Sequence, residues 1–277
     1  MELLSDVFLP EARAVIKQLA CRLEHNLAIG SFSPAIYDTA WLAMVCKGGS
    51  DPAWLFPECF NFLLLTQNDD GGWPAYASEV DGILNTMAAT IALRKHDSRP
   101  ELDCPPLPED IKMRVLKAEE HLRTILLNWN VTSAVHVGFE ILVPALLEML
   151  EKGCERFEFP GRQALMALNQ SKLSTFRPEV LYGEYKTTLV HSLEAFVGKI
   201  DFERVAQHLD ERGSMMASPS STAAYLIHCS EWDESAEEYL RKVVALSSGK
   251  GKGGVPSAFP SSIFETAWVR NSKLNQS

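Results

Sequence analysis

The sequence predicts an all-α fold of the α/α toroid type, on three observations. Apolar positions recur at helical spacing wherever the pattern is long enough to judge, no stretch alternates convincingly as a strand, and the helical runs are short, divided by Gly- and Pro-rich breaks. In chain order, Val15, Ile16, Leu19, Leu23 and Leu27 form one stripe, opened by Pro10 at a favoured first-turn position. The runs 83–94, 113–127 and 137–150 read as helices in the same way. Ser218 and Pro219 supply an N-cap and a first-turn proline for a further helix over 221–228. Breaks are expected at 48–52, 100–108, around 159–161 and at 247–260.

With 277 residues, 46% of them hydrophobic, the chain can bury a sizeable core. A net charge of -10 opposes binding to nucleic acid and to anionic membrane surfaces, which need clustered Lys and Arg. The six cysteines are dispersed and show neither a C-x-x-C pair nor metal-ligand spacing, so reduced core residues are expected, and no metal site. Acids near Met1 do not suit a secretory or transit peptide, and the longest apolar run, 137–150, is too short to span a bilayer. A cytoplasmic protein is the expectation.

The run Gln67-Asn68-Asp69-Asp70-Gly71-Gly72-Trp73 follows the apolar Phe62-Leu63-Leu64-Leu65. At this spacing the Gln67 amide can reach orphan backbone groups at helix ends, Asp70 and Gly71 allow a tight turn, and Trp73 covers the amide. It resembles the QW motif of triterpene and diterpene cyclases. An ordinary Asp-Gly turn before a core Trp would look alike.

Further segments resemble class II diterpene cyclases in order and approximate spacing: Ala35-Ile36-Tyr37-Asp38-Thr39-Ala40-Trp41, Gly138-Phe139-Glu140-Ile141-Leu142, Leu189-Val190-His191-Ser192-Leu193-Glu194, Ser218-Pro219-Ser220-Ser221-Thr222, Gly253-Gly254-Val255-Pro256 and Phe264-Glu265. The resemblance covers nearly the whole chain and is greatest to the copalyl diphosphate synthase part of fungal bifunctional diterpene synthases. It implies residues 1–48 as the leading helix of a β domain, 49–262 as an inserted γ domain, and 263–277 as the start of the β-domain return and a divergent polar tail, with the rest of that domain absent.

The reaction implied is protonation-initiated cyclisation of geranylgeranyl diphosphate to copalyl diphosphate. An alkene is a poor base, so the family uses a strong, buried acid, the middle carboxyl of Asp-x-Asp-Asp. These 277 residues contain no such motif, and the only Asp-Asp pair, Asp69-Asp70, lacks the preceding acid. A chain unable to initiate cyclisation is therefore expected. The intact family uses Mg²⁺, but Asp233-Glu234-Ser235-Ala236-Glu237 only mimics an Asp-Asp-x-x-Asp/Glu ligand set, and acids opening a helix are expected on its solvated face.

The resemblance makes His191 the base for the final proton, acting through water, with an Asn that in plant members follows Gly-Gly-Val-Pro; here that position is Ser257. A hydrogen-bonded core His is the plainer reading of the same residue. Lys172 resembles the lysine that meets the substrate diphosphate, although most lysines simply face water. The run 249–254 is glycine- and lysine-rich but lacks Gly-Lys-Ser/Thr, and reads as a loop. Two other functions stay open: a non-catalytic helical module docking on an intact cyclase, and an unrelated toroid such as a glycoside hydrolase. The unpartnered stripe of the leading helix predicts self-association or docking on a β domain.

Overall fold

The computed structural model describes residues 30–265, apart from 31, 50–51, 104–105, 153–154, 186, 248, 250–251 and 263. The expected leading stripe, Val15 to Leu27, and the polar tail lie outside the described residues. Eight α-helices are described: α1 (Ile36–Ala43), α2 (Pro57–Thr66), α3 (Glu79–Ser98), α4 (Ile111–Asn128), α5 (Phe139–Glu151), α6 (Arg162–Thr175), α7 (Pro219–His228) and α8 (Glu234–Leu246). Short 3-10 segments lie between them, notably Thr188–Phe196 and Phe202–His208. The sole described sheet is a two-residue antiparallel pair, β1 (Cys46–Lys47) with β2 (Ala53–Trp54).

Helix ends fall where the side chains dictate. Ser78 accepts from Asp81 N to start α3, Asp233 accepts from Ser235 N and Ala236 N to start α8, and Ser218 accepts from Ser221 N while Pro219 occupies the first turn of α7. All three helices predicted at 83–94, 113–127 and 137–150 are present, the first two longer than predicted and the third starting two residues later and ending one later.

A closed inner ring runs α1, α3, α5, the Thr188–Phe196 segment, α7 and back to α1. Outside it, α2 packs on α1, α4 on α3, α6 on α5 and α8 on α7. This is the double-layered α/α toroid expected. Helices of the ring are apolar nearly all round because both faces are covered: α3 buries every residue from Val80 to Leu93 except Asp81. The ring draws on residues on both sides of the boundary expected at 48, since α1 packs against α2, α3 and α7.

The Gln67 to Trp73 run bridges two outer helices. Gln67 ends α2, and its Nε2 donates to Gly71 O at 2.9 Å and to the Arg114 carbonyl of α4 at 3.2 Å. Trp73 is buried, and its Nε1 donates to Leu63 O at 3.0 Å, a carbonyl in the last turn of α2 that also accepts from Gln67 N at 3.1 Å, so the indole is pinned to the end of that helix. Asp70 accepts from Gly72 N and lies 3.4 Å from His121 Nδ1. Gly71 has φ +91°, and a Cβ there would lie 2.4 Å from the Lys117 backbone, so no larger residue fits.

Candidate active site

The described helices of the inner ring start at one end of the toroid and finish at the other. Around the first end lies a cavity of about 930 Å³, lined by the opening residues Ala35 to Asp38 of α1, Asp81 and Asn85 of α3, Leu142 of α5, His191 to Glu194, and Ser218 and Ser220 at the start of α7. Ser257 completes the wall from the loop after Gly253-Gly254-Val255-Pro256. That loop is held on α1, with Ala35 N donating to Val255 O at 2.7 Å and Val255 N donating to Thr39 Oγ1 at 3.0 Å.

Segments far apart in sequence thus meet at one place, and His191 and Ser257 share it. His191 Nδ1 lies 3.1 Å from Met216 O. A carbonyl only accepts, so Nδ1 carries the proton and a neutral ring keeps its lone pair on Nε2, the arrangement a general base needs. Met216 and Ala217 both hold left-handed backbone, φ 52° and 59°, unusual for residues with side chains. The loop is fixed by Ala217 N donating to Ser214 Oγ, Phe259 N donating to Ala217 O and Met215 N donating to Thr222 Oγ1. Such over-determined strain is typical of functional sites.

The same wall holds two buried carboxyls that sequence reading did not single out. Asp38 and Glu194 are only 4% and 3% exposed, and no Lys or Arg lines this cavity among the described residues. Asp38 Oδ1 accepts from Ser220 N at 3.4 Å, and Glu194 Oε1 accepts from Tyr37 Oη and from Ser220 Oγ, each at 3.4 Å. Glu194 Oε2 has no protein partner. Burial pushes Asp38 up to about 7 against the hydrogen bonds from Ser220, and burial with the nearby Asp38 charge pushes Glu194 up to about 8. Tyr37 is driven well above the usual phenol range by burial and by Glu194. The signal available beforehand was an acid inside each of two otherwise apolar ring segments.

Lys172 does not line the cavity. It stands on α6, 59% exposed, with Nζ 3.2 Å from Glu140 Oε1 in the first turn of α5, which places a cation on the same end of the ring. The Asp233 to Glu237 run differs from the solvated face expected. Asp233 caps α8, and Glu237 is buried, accepting from Lys47 Nζ at 2.5 Å, Trp232 Nε1 at 2.7 Å and Arg241 Nε at 2.8 Å. Its carboxylate is fully committed to structure. Among the described residues no cluster of three His, Cys, Asp or Glu side chains suits a metal ion. Nor is any described helix long and apolar enough to cross a membrane.

No protein-family profile matches the chain. Over 264 residues it is 50% identical to a copalyl diphosphate synthase of Talaromyces verruculosus, a match covering 95% of this chain and 27% of that protein. It is 52% identical over 262 residues to pimaradiene synthase of Emericella nidulans, covering 94% of this chain and 26% of that one. Among solved structures it resembles ent-copalyl diphosphate synthase of Arabidopsis thaliana, crystallised with (S)-15-aza-14,15-dihydrogeranylgeranyl thiolodiphosphate. That likeness has a TM-score of 0.73 at 29% identity and covers 93% of this chain and 35% of that one. Abietadiene synthase of Abies grandis is similar, with a TM-score of 0.72 at 28% identity, covering 86% of this chain and 30% of that one. The chain spans about a quarter of the length of the curated relatives it matches.

Proposed function

Since this chain is related over nearly its whole length to copalyl diphosphate synthases and other class II diterpene cyclases, we propose that its cavity is a wall of a cyclisation site for geranylgeranyl diphosphate. One observation carries the reading: the segments that resemble the family, widely spaced in sequence, converge on a single cavity with His191 on its rim. In this reading His191 Nε2 takes the closing proton, its orientation held by the Nδ1 bond to Met216 O. Apolar side chains such as Leu84, Leu142 and Phe62 line the space a prenyl chain would fill.

The same residues do not supply the initiating step. Asp38 and Glu194 hold their protons near neutrality and above it, which makes them weak acids, whereas an alkene needs a strong one. With no Asp-x-Asp-Asp present, the 277 residues bind the substrate without cyclising it. The alternative, a non-catalytic module docking on an intact cyclase, draws on the same missing motif.

The test is to incubate the purified chain with geranylgeranyl diphosphate and Mg²⁺, remove phosphates and separate the products, while measuring binding by calorimetry. Binding that weakens with Phe62→Asp, without copalyl product, is the expected result. Turnover that is lost on His191→Ala would contradict the missing-acid argument and reveal another acid, while absence of binding would remove the site from this cavity.

A further inference from the structure

Three elements of the ring are tied together at the cavity through Glu194. It sits in the Thr188–Phe196 segment, which is broken by non-helical backbone at Ser192, φ -143° and ψ 44°, between the base at 191 and the carboxyl at 194. A segment kinked there cannot rely on its own hydrogen-bond ladder to aim His191. Cross-links do so instead. Ser221 Oγ donates to Val190 O at 2.6 Å and accepts from Leu193 N at 3.2 Å, while Tyr37 and Ser220 meet Glu194 Oε1 from α1 and α7.

The charge balance of this junction is unusual. Two buried carboxyls meet the same residue, Ser220, with only hydroxyls and an amide N–H as partners. Two ionised carboxylates in such a place would repel strongly, since no cation offsets them. The titratable groups facing the pair are Tyr37 beside Asp38 on α1, His191 on the segment of Glu194 and, behind Asp38, Tyr239 of α8; α7 contributes only serine hydroxyls, and Asp81 and His136 line the same cavity. The remaining oxygen, Oε2 of Glu194, accepts nothing from the protein and is the natural seat of a proton.

We propose that Asp38 and Glu194 retain at least one proton between them, and that this protonated pair is the positioning element that locks the kinked segment onto α1 and α7 through Tyr37 and Ser220 and so fixes His191 at the cavity rim. Ionising both carboxyls would push α1 and the 188–196 segment apart and release the imidazole from Met216. The raised position of both carboxyls on the pH scale agrees with this geometry. The inference rests on His191 being the functional base at this cavity, but its test uses no substrate.

Glu194→Gln supplies a neutral side chain of the same shape that both donates and accepts, and Asp38→Asn does the same for its partner. A group whose folded-state value is raised stabilises the fold fully below its unfolded value and loses that contribution as pH rises through the folded value. Wild type should therefore unfold at progressively lower urea as pH rises from 4.5 to above 8, whereas Glu194→Gln should lose much less over that range. The carbonyl stretch of a protonated carboxylic acid should be present in the infrared spectrum of wild type at neutral pH and diminished in both variants. By nitrogen NMR at a fixed pH above 8, the Nδ1-protonated tautomer of His191 should be retained in Glu194→Gln and diminished in wild type, where the carboxyl band has faded. Parallel stability curves for wild type and Glu194→Gln, or no carboxylic acid band in wild type, would overturn the proposal. If His191→Ala proves irrelevant to chemistry while these results hold, the base assignment fails and the proton-holding pair stands.

Discussion

The two ends of the inner ring are built from the same helices and carry opposite chemistry. Helix starts surround a cavity whose ionisable groups are mostly acids, Asp38, Glu194 and Asp81, with His136 and His191. Helix finishes surround a cleft of about 350 Å³ with an apolar floor that includes Trp41, Met44, Ile91 and Leu150, and with Arg94, Lys95, Lys152 and His228 around it. Helix dipoles explain the sorting, because N-termini favour negative and C-termini positive charge. They do not explain the ionisation. At the cleft, burial holds Lys95 below the usual lysine range, and burial with the charges of Lys95 and Lys152 brings His228 down to about 4. At the cavity, burial without a cation brings the carboxyls up. At both ends burial favours the neutral form of the groups it shifts.

A second contrast isolates the cause. Glu237 and Glu194 are both buried, yet Glu237 is held down to about 2, because hydrogen bonds from Lys47, Trp232 and Arg241 outweigh a burial effect that alone would raise it. Cationic partners, together with the lesser depth of Glu237, separate a structural carboxylate from a proton-holding one.

The largest effect should come from a substitution that loosens both ends together. Trp73→Ala deletes a buried indole and its bond to Leu63 O, and should cost about 3–5 kcal/mol by urea unfolding. A change below about 1 kcal/mol would show that the bridge between α2 and α4 does not hold the ring. Glu237→Gln should come next, losing about 2 kcal/mol at neutral pH from its charge-assisted bonds. Because Glu237 is depressed, its contribution is present above 4.5 and disappears as pH falls toward about 2, opposite in direction to Glu194. Equal pH dependence in Glu194→Gln and Glu237→Gln would erase the contrast. Lys172→Met should change stability by less than about 0.5 kcal/mol, since its pair with Glu140 is exposed on the lysine side. If Lys172 meets the diphosphate, calorimetry on this variant should still show weaker binding of geranylgeranyl diphosphate; unchanged affinity would remove it from the site.

Much of this was legible in the sequence. Helical periodicity located α3, α4 and α5, the Ser218-Pro219 pair located the start of α7, and the Gln67 to Trp73 spacing foretold a bridge between helices. The ring itself was not legible, because closure depends on which helix faces meet and α1 is too short to show a period. The 188–196 segment has helical composition but is 3-10 and kinked at Ser192, held by serines of α7 that lie some thirty residues away in sequence. Asp38 and Glu194 each look like an isolated acid in an apolar run. Only the fold brings them together and keeps cations away.

The most direct measurement is hydrogen exchange of the 277-residue chain with and without geranylgeranyl diphosphate. An anionic head and an apolar tail give both ends a claim: the cationic cleft offers charge, the larger cavity offers space and His191. Our account predicts slowed exchange at 35–38, 188–194 and 218–221, with little change at 41–45, 94–98 and 149–152. Protection confined to the second set would place the prenyl diphosphate at the helix finishes and contradict the cyclisation-site reading.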